Sequence, residues 1–163
     1  LDFTSLTNLQ ESPANKWIPV DNNLDANGKG TVSLPALTDG KFQCEIQSAQ
    51  NTDSFAICWD PSNAIGESYW GTAKYVVFPK YGTYWTNDNQ AGGINSTIPH
   101  ADGDLLRLVR TGSVIKAQYY RGGSWTDILT FTGTDTGQLY YFAASAQDGT
   151  ALSLYNPKQE GAI

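Results

Sequence analysis

The chain has 163 residues, a formal net charge of −6 and only 16% charged residues. That length fits one domain, and a domain of that size buries roughly 70% of the surface its unfolded chain exposes, so it needs neither disulfide nor metal to fold. The acidic balance, without a run of Lys or Arg, excludes an electrostatic footprint for nucleic acid or an anionic membrane, and no apolar run is long enough to span a bilayer.

Gly, Thr, Ser, Asn, Trp and Tyr dominate, the mix expected of strands, tight turns and aromatic contact surfaces. In chain order, strands are expected over 16–20, 30–35, 41–48, 54–60, 74–79, 82–86, 104–111, 113–121, 124–132 and 138–146, with a last one near 150–155. No window of helical length keeps an apolar face at 3.6 spacing, and the short strand spacing with turn punctuation predicts a sandwich or barrel rather than βαβ units. No repeat, low-complexity tract or Pro-rich linker divides the chain, so residues 1–163 are expected to form a single domain. With no methionine, the chain reads as a processed product or an excised piece of something longer.

The segment 41–60 reads as a hairpin turning through "SAQNTD", and 104–121 as a hairpin turning through "RTGS", where Gly112 supplies the positive φ that other residues resist. A third turn, "RGGS", leads into Trp125. Alternation then points Leu106, Leu108, Ile115, Ala117, Tyr119, Trp125, Leu129 and Phe131 inward. Arg107 and Arg110 are expected on a solvated strand face. Cys44 shares a face with Phe42 and Ile46, whereas Cys58 alternates against Phe55, Ile57 and Trp59, which favours two free thiols over a disulfide.

Residues 61–104 differ in character, placing Trp70, Tyr75, Tyr81, Tyr84 and Trp85 among Asn, Asp and Gly. Rigid aromatic faces beside adaptable polar groups suit recognition. The candidate ligand-binding residues are therefore Trp70, Tyr81, Tyr84 and Trp85 as stacking platforms, with Asn87, Asp88 and Asn89 as hydrogen-bonding partners for hydroxyls.

The order "GKFQCEIQSAQNTDSFAICW", "GDLLRLVRTGSVIKAQYYRGGSWTDI" and "GQLYYFAASAQDGTALSL" resembles the concanavalin A-like lectin/glucanase and SPRY-like superfamily over roughly residues 38–155. The resemblance implies an all-β fold, a two-sheet antiparallel β-sandwich of jelly-roll type. It does not imply one activity, because lectins, carbohydrate-binding modules, glycosidases, peptide readers and viral fibre tips share it.

Catalysis finds little support in the residues. Glycoside hydrolysis needs two carboxylates at a set separation, yet Glu11, Glu45, Glu67 and Glu160 lie far apart and no E-x-D-x-x-E strand is present. Nucleophilic catalysis needs a base, and the single histidine, His100, sits in the turn-rich "TIPHADGD", where a surface loop position is expected. No Cys/His cluster exists. The oxygen-rich loops around Asp60 and Asn63, Asn87 to Asn89, and Asp102 and Asp104 are the places where calcium would bind, but lack an adjacent acidic pair, so no cofactor is expected. Asn95-Ser96-Thr97 is a formal glycosylation sequon.

The expected function is non-catalytic recognition of cell-surface carbohydrate or a glycosylated receptor, at the receptor-binding tip of a phage or virus fibre. The location is then extracellular or on a virion surface, with a homotrimer as the suggested assembly, no nucleic acid and no membrane insertion. The alternatives are a carbohydrate-binding module of a secreted polysaccharide-degrading enzyme and a SPRY-type protein-interaction domain.

Overall fold

The computed structural model describes the backbone of residues 5–7, 9–11, 16–19, 28–33, 39–47, 55–60, 74–80, 82–87, 94–131, 140–145 and 153–161, and the side chains of 74–79, 82–86 and 96–131. These residues form strands and turns only. The strands are β1 (Ser5–Thr7), β2 (Leu9–Glu11), β3 (Lys16–Pro19), β4 (Gly28–Ser33), β5 (Asp39–Gln47), β6 (Phe55–Asp60), β7 (Tyr75–Lys80), β8 (Thr83–Asn87), β9 (Ile94–Pro99), β10 (Leu105–Thr111), β11 (Val114–Arg121), β12 (Ser124–Thr130), β13 (Tyr140–Ser145) and β14 (Ser153–Gly161).

They pair into two seven-stranded antiparallel sheets, ordered β1-β4-β13-β6-β7-β8-β9 and β12-β11-β10-β5-β14-β3-β2. The expected all-β sandwich is therefore present. One expected hairpin is not. β5 pairs with β10 and β14, whereas β6 pairs with β13 and β7, so the chain between them crosses from one sheet to the other. Turn residues alone do not distinguish a hairpin from such an arch, because both need the same polar, flexible connection. The crossing also puts Cys44 and Cys58 in different sheets, at the register positions of Leu106 and Val76.

The core between the sheets follows alternation. From β10 and β11 come Leu106, Leu108, Ile115 and Ala117, all fully buried, and opposite them stand Tyr75, Val77 and Tyr84 of β7 and β8. Tyr75 meets Phe131 edge to face, with centroids 5.2 Å apart at 72°. Arg110 corrects the expectation of a solvated strand face. Three residues from Arg107, it must point the opposite way in a strand, and it is 2% exposed on the face shared with Leu106 and Leu108.

Trp125 needs a second correction, and its cause is a β-bulge. Gln118 pairs with Asp127 but the preceding residue of β11, Ala117, pairs with Leu129, leaving Ile128 as the extra residue. Across the bulge the alternation changes phase, so Trp125 and Asp127 lie on the outer face while Leu129 stands opposite buried Ala117. A strand read at strict period two puts all three together.

The β11–β12 turn joins paired Arg121 and Ser124 through Gly122 and Gly123, both at positive φ (61° and 91°). Two positive-φ residues in a two-residue loop are the type I′ requirement. Replacing Gly123 with Ala puts a Cβ into that conformation and should lower stability by about 1 kcal/mol, read as a shift of the urea midpoint at constant m.

Candidate functional site

Of the residues proposed for ligand binding, Trp70, Tyr81, Asp88 and Asn89 lie outside the described residues. Asn87 ends β8 opposite Val76. Tyr84 and Trp85 are neighbours on β8 and therefore face opposite ways. Tyr84 points inward and is 1% exposed, with its ring stacked on Tyr119 at 5.5 Å and 28°. That packing corrects its assignment: a ring enclosed between two sheets offers no platform to a ligand. Trp85 is half-buried on the outer face of its sheet beside Phe78, centroids 6.4 Å apart. Phe78 and Val76, on that same outer face, are fully buried, so this face of β7 is covered.

Tyr84 instead belongs to a clamp at one end of the sandwich. Its hydroxyl donates to Asp104 Oδ2, which also accepts from the Ala101 backbone N–H at 3.0 Å and from Arg121 Nη2 at 2.5 Å, while Arg121 Nε donates to Oδ1 at 2.9 Å. Arg121 Nη2 also donates to the Pro99 carbonyl at 2.8 Å. One carboxylate thus ties the turn at residues 99–104 to β8 and β11. The His100 N–H donates to the Gly82 carbonyl at 3.0 Å, which joins the β7–β8 turn to the same end.

Burial of Asp104 would raise its pKa, but the hydrogen bonds from Arg121, Tyr84 and Ala101, with the guanidinium charge, outweigh it and hold the carboxyl below its usual value. Burial, reinforced by Asp104, pushes the Tyr84 hydroxyl up, so it remains a donor. The bond to Asp104 raises Arg121. A buried aspartate so neutralised is a structural anchor and leaves little lone-pair capacity for calcium. Asp102, in the same turn, is exposed. Among the described residues no group of three or more His, Cys, Asp or Glu is placed to hold a metal ion.

A second cluster was not among the expected site residues. On the outer face of β10, β11 and β12, the register makes rows that run across the strands: Leu105, Tyr120 and Trp125, then Arg107, Gln118 and Asp127. Arg107 Nε donates to Gln118 Oε1 at 2.7 Å, Gln118 Nε2 to Asp127 Oδ1 at 2.5 Å, and Lys116 Nζ to Asp127 Oδ2 at 2.6 Å. The Arg107 guanidinium lies 3.7 Å over the Trp125 ring, and Tyr120 tilts against that ring at 5.2 Å. Burial would raise Asp127, but Gln118, Lys116 and Arg107 outweigh it and hold the carboxyl low. Alternation along β10 and β11 already places Arg107, Gln118 and Tyr120 on one face. Only the bulge hid Trp125 and Asp127.

No protein-family model matches the sequence, and no curated protein matches it. Solved structures do match. The exoplasmic/lumenal domain of VIP36 in a Ca2+/Man3GlcNAc-bound form is 9% identical, with a TM-score of 0.71, covering 98% of this chain and 83% of that one. The carbohydrate recognition domain of Emp46p in a metal-free form is 9% identical, with a TM-score of 0.67, covering 98% and 88%. A sialidase matches at 14% identity and a TM-score of 0.57 over 83% of this chain, but over 14% of its own. These likenesses are of fold: the two-sheet antiparallel β-sandwich of this chain is similar to that of the VIP36 and Emp46p domains.

Proposed function

We propose that the chain is a non-catalytic carbohydrate-recognition domain acting outside the cytoplasm. The observation that carries the proposal is the correspondence of 98% of the chain to sandwich domains described as mannose-glycan-bound or as carbohydrate recognition domains. Two of the described carboxylates are structural partners of cations. Asp104 and Asp127 are both engaged by cations and held ionised, so neither is a proton donor to a leaving group.

The proposed contact residues are Trp70, Tyr81, Trp85, Asn87, Asp88 and Asn89, with Tyr84 reassigned to the core. A glycan array probed with the labelled domain, first in calcium and then in chelator, tests the function. A defined glycan set is the expected result, and a blank array in both buffers overturns the reading. Trp85→Ala should weaken binding to the best hit by about 1–3 kcal/mol if its ring meets sugar. Tyr84→Phe should leave affinity unchanged while lowering the unfolding midpoint.

The finer form of the proposal is the receptor-binding tip of a phage or virus fibre, as a homotrimer on a virion surface. It rests on the acidic, methionine-free, Gly-, Thr- and Asn-rich composition. A single-chain mass in solution would instead support a secreted carbohydrate-binding module.

A further inference from the structure

We infer that the outer face of β10, β11 and β12 is a second carbohydrate-contacting surface, on the sheet opposite Trp85, taking a polyhydroxylated chain laid across the strands. The inference rests on the carbohydrate reading above but uses different residues.

Three observations carry it. First, the face presents aromatic surface: Tyr120 and Trp125 are both half-buried, each with part of its ring open to solvent, whereas Val76 and Phe78 on the outer face of β7 are fully buried. Second, the row beside them, Arg107, Gln118 and Asp127, is planar, polar and prearranged by its own hydrogen bonds, with the guanidinium stacked on Trp125. Prearranged side chains lose little freedom when a ligand arrives. Side chains within a row stand at the ~4.8 Å spacing of paired strands, so a chain running across the sheet meets one row member after another. Third, each charged group of the face is already held by a neighbour within it. Lys116 pairs with Asp127, and Arg107 is engaged by Gln118 and Trp125. The guanidinium, amide and carboxylate of this row all hydrogen-bond hydroxyls and stand beside two aromatic rings, so the face is complementary to a chain rich in hydroxyls. An apolar platform edged by a few fixed polar groups is the general design of a small-ligand site.

The test reads the indole N–H signals of the chain's five tryptophans by NMR. Each is assigned by a Trp→Phe variant, and mannotetraose, laminaritetraose, cellotetraose and xylotetraose are titrated in turn. The expected result is a saturable shift of the Trp125 indole and of the Gln118 side-chain amide with at least one of these sugars. Gln118→Ala, a surface change whose folding is checked by the four other indole positions, should weaken that binding about tenfold. Movement of the Trp70 or Trp85 indole with a static Trp125 overturns this surface and leaves the carbohydrate reading standing. Four sugars that move no indole at all overturn this surface, and the array decides the wider reading separately. A Trp125 signal that shifts with protein concentration and not with sugar shows the face to be an interface between copies, which also overturns the inference.

Discussion

Replacing Asp104 with Ala should cost about 2–4 kcal/mol, the larger part of a small domain's margin. Asp104 is 4% exposed and serves Tyr84, Ala101 and Arg121 together. Removing it leaves the buried Tyr84 hydroxyl without its acceptor, whereas the Ala101 N–H, in an exposed turn, can turn to water. Arg121 is the lesser loss. Its side chain is 40% exposed and re-solvates, which keeps the cost below that of a fully buried pair. Asp104→Asn retains an acceptor oxygen but not the charge and should fall between the two. Equilibrium urea unfolding gives these values directly, and an Asp104→Ala loss under about 0.5 kcal/mol would show the clamp to be surface decoration.

The same residue sets a direction for pH. Its pKa is held below the ordinary carboxylate value in the fold. The unfolded chain therefore takes up the proton at higher pH than the folded chain does. The contribution of the clamp is fully present above about pH 4 and is lost as pH falls through the folded value below it. Asp127 shifts in the same direction, but its ion pair with Lys116 is exposed and worth at most about 1 kcal/mol. Unfolding curves for the parent and Asp104→Ala should lie farthest apart near neutrality and converge in acid. Curves that stay parallel down to pH 2 would refute the linkage.

Much of this architecture was legible because the hairpin at 104–121 is locally complete. It has alternating apolar residues, a Gly at the turn and strands long enough to show period two. Where the signal failed, the sequence carries a local irregularity or an edge. β9 was not expected: "INSTIP" sits at the end of its sheet with polar residues on both faces, so it shows no apolar stripe. The last strand was expected near 150–155, yet β14 runs from Ser153 to Gly161, passing Pro157 with a register shift between Tyr155 and Lys158. The candidate site was less legible than the fold. Tyr84 and Trp85 look equivalent in "GTYWTND", and only strand pairing sends one to the core and the other to the outside.

The bulge at Ile128 makes the sharpest contrast. Phe131 and Trp125 both read as inward aromatics of one strand, and removing either side chain would then cost alike. Phe131, past the bulge, is 3% exposed, packs edge to face on Tyr75 of the opposite sheet, and donates its N–H to the Ile115 carbonyl at 2.9 Å. Phe131→Ala should therefore cost about 3–5 kcal/mol, the transfer and cavity penalty of a buried phenylalanine. Trp125, before the bulge, packs against Arg107 and Tyr120 on the outer face and is only half-buried, so Trp125→Ala should cost about 1–2 kcal/mol although it removes the larger ring. Urea unfolding of the two variants side by side checks the order. Equal losses would mean that Trp125 is core after all, and the outer face of β10, β11 and β12 would then lose the ring on which its ligand role depends.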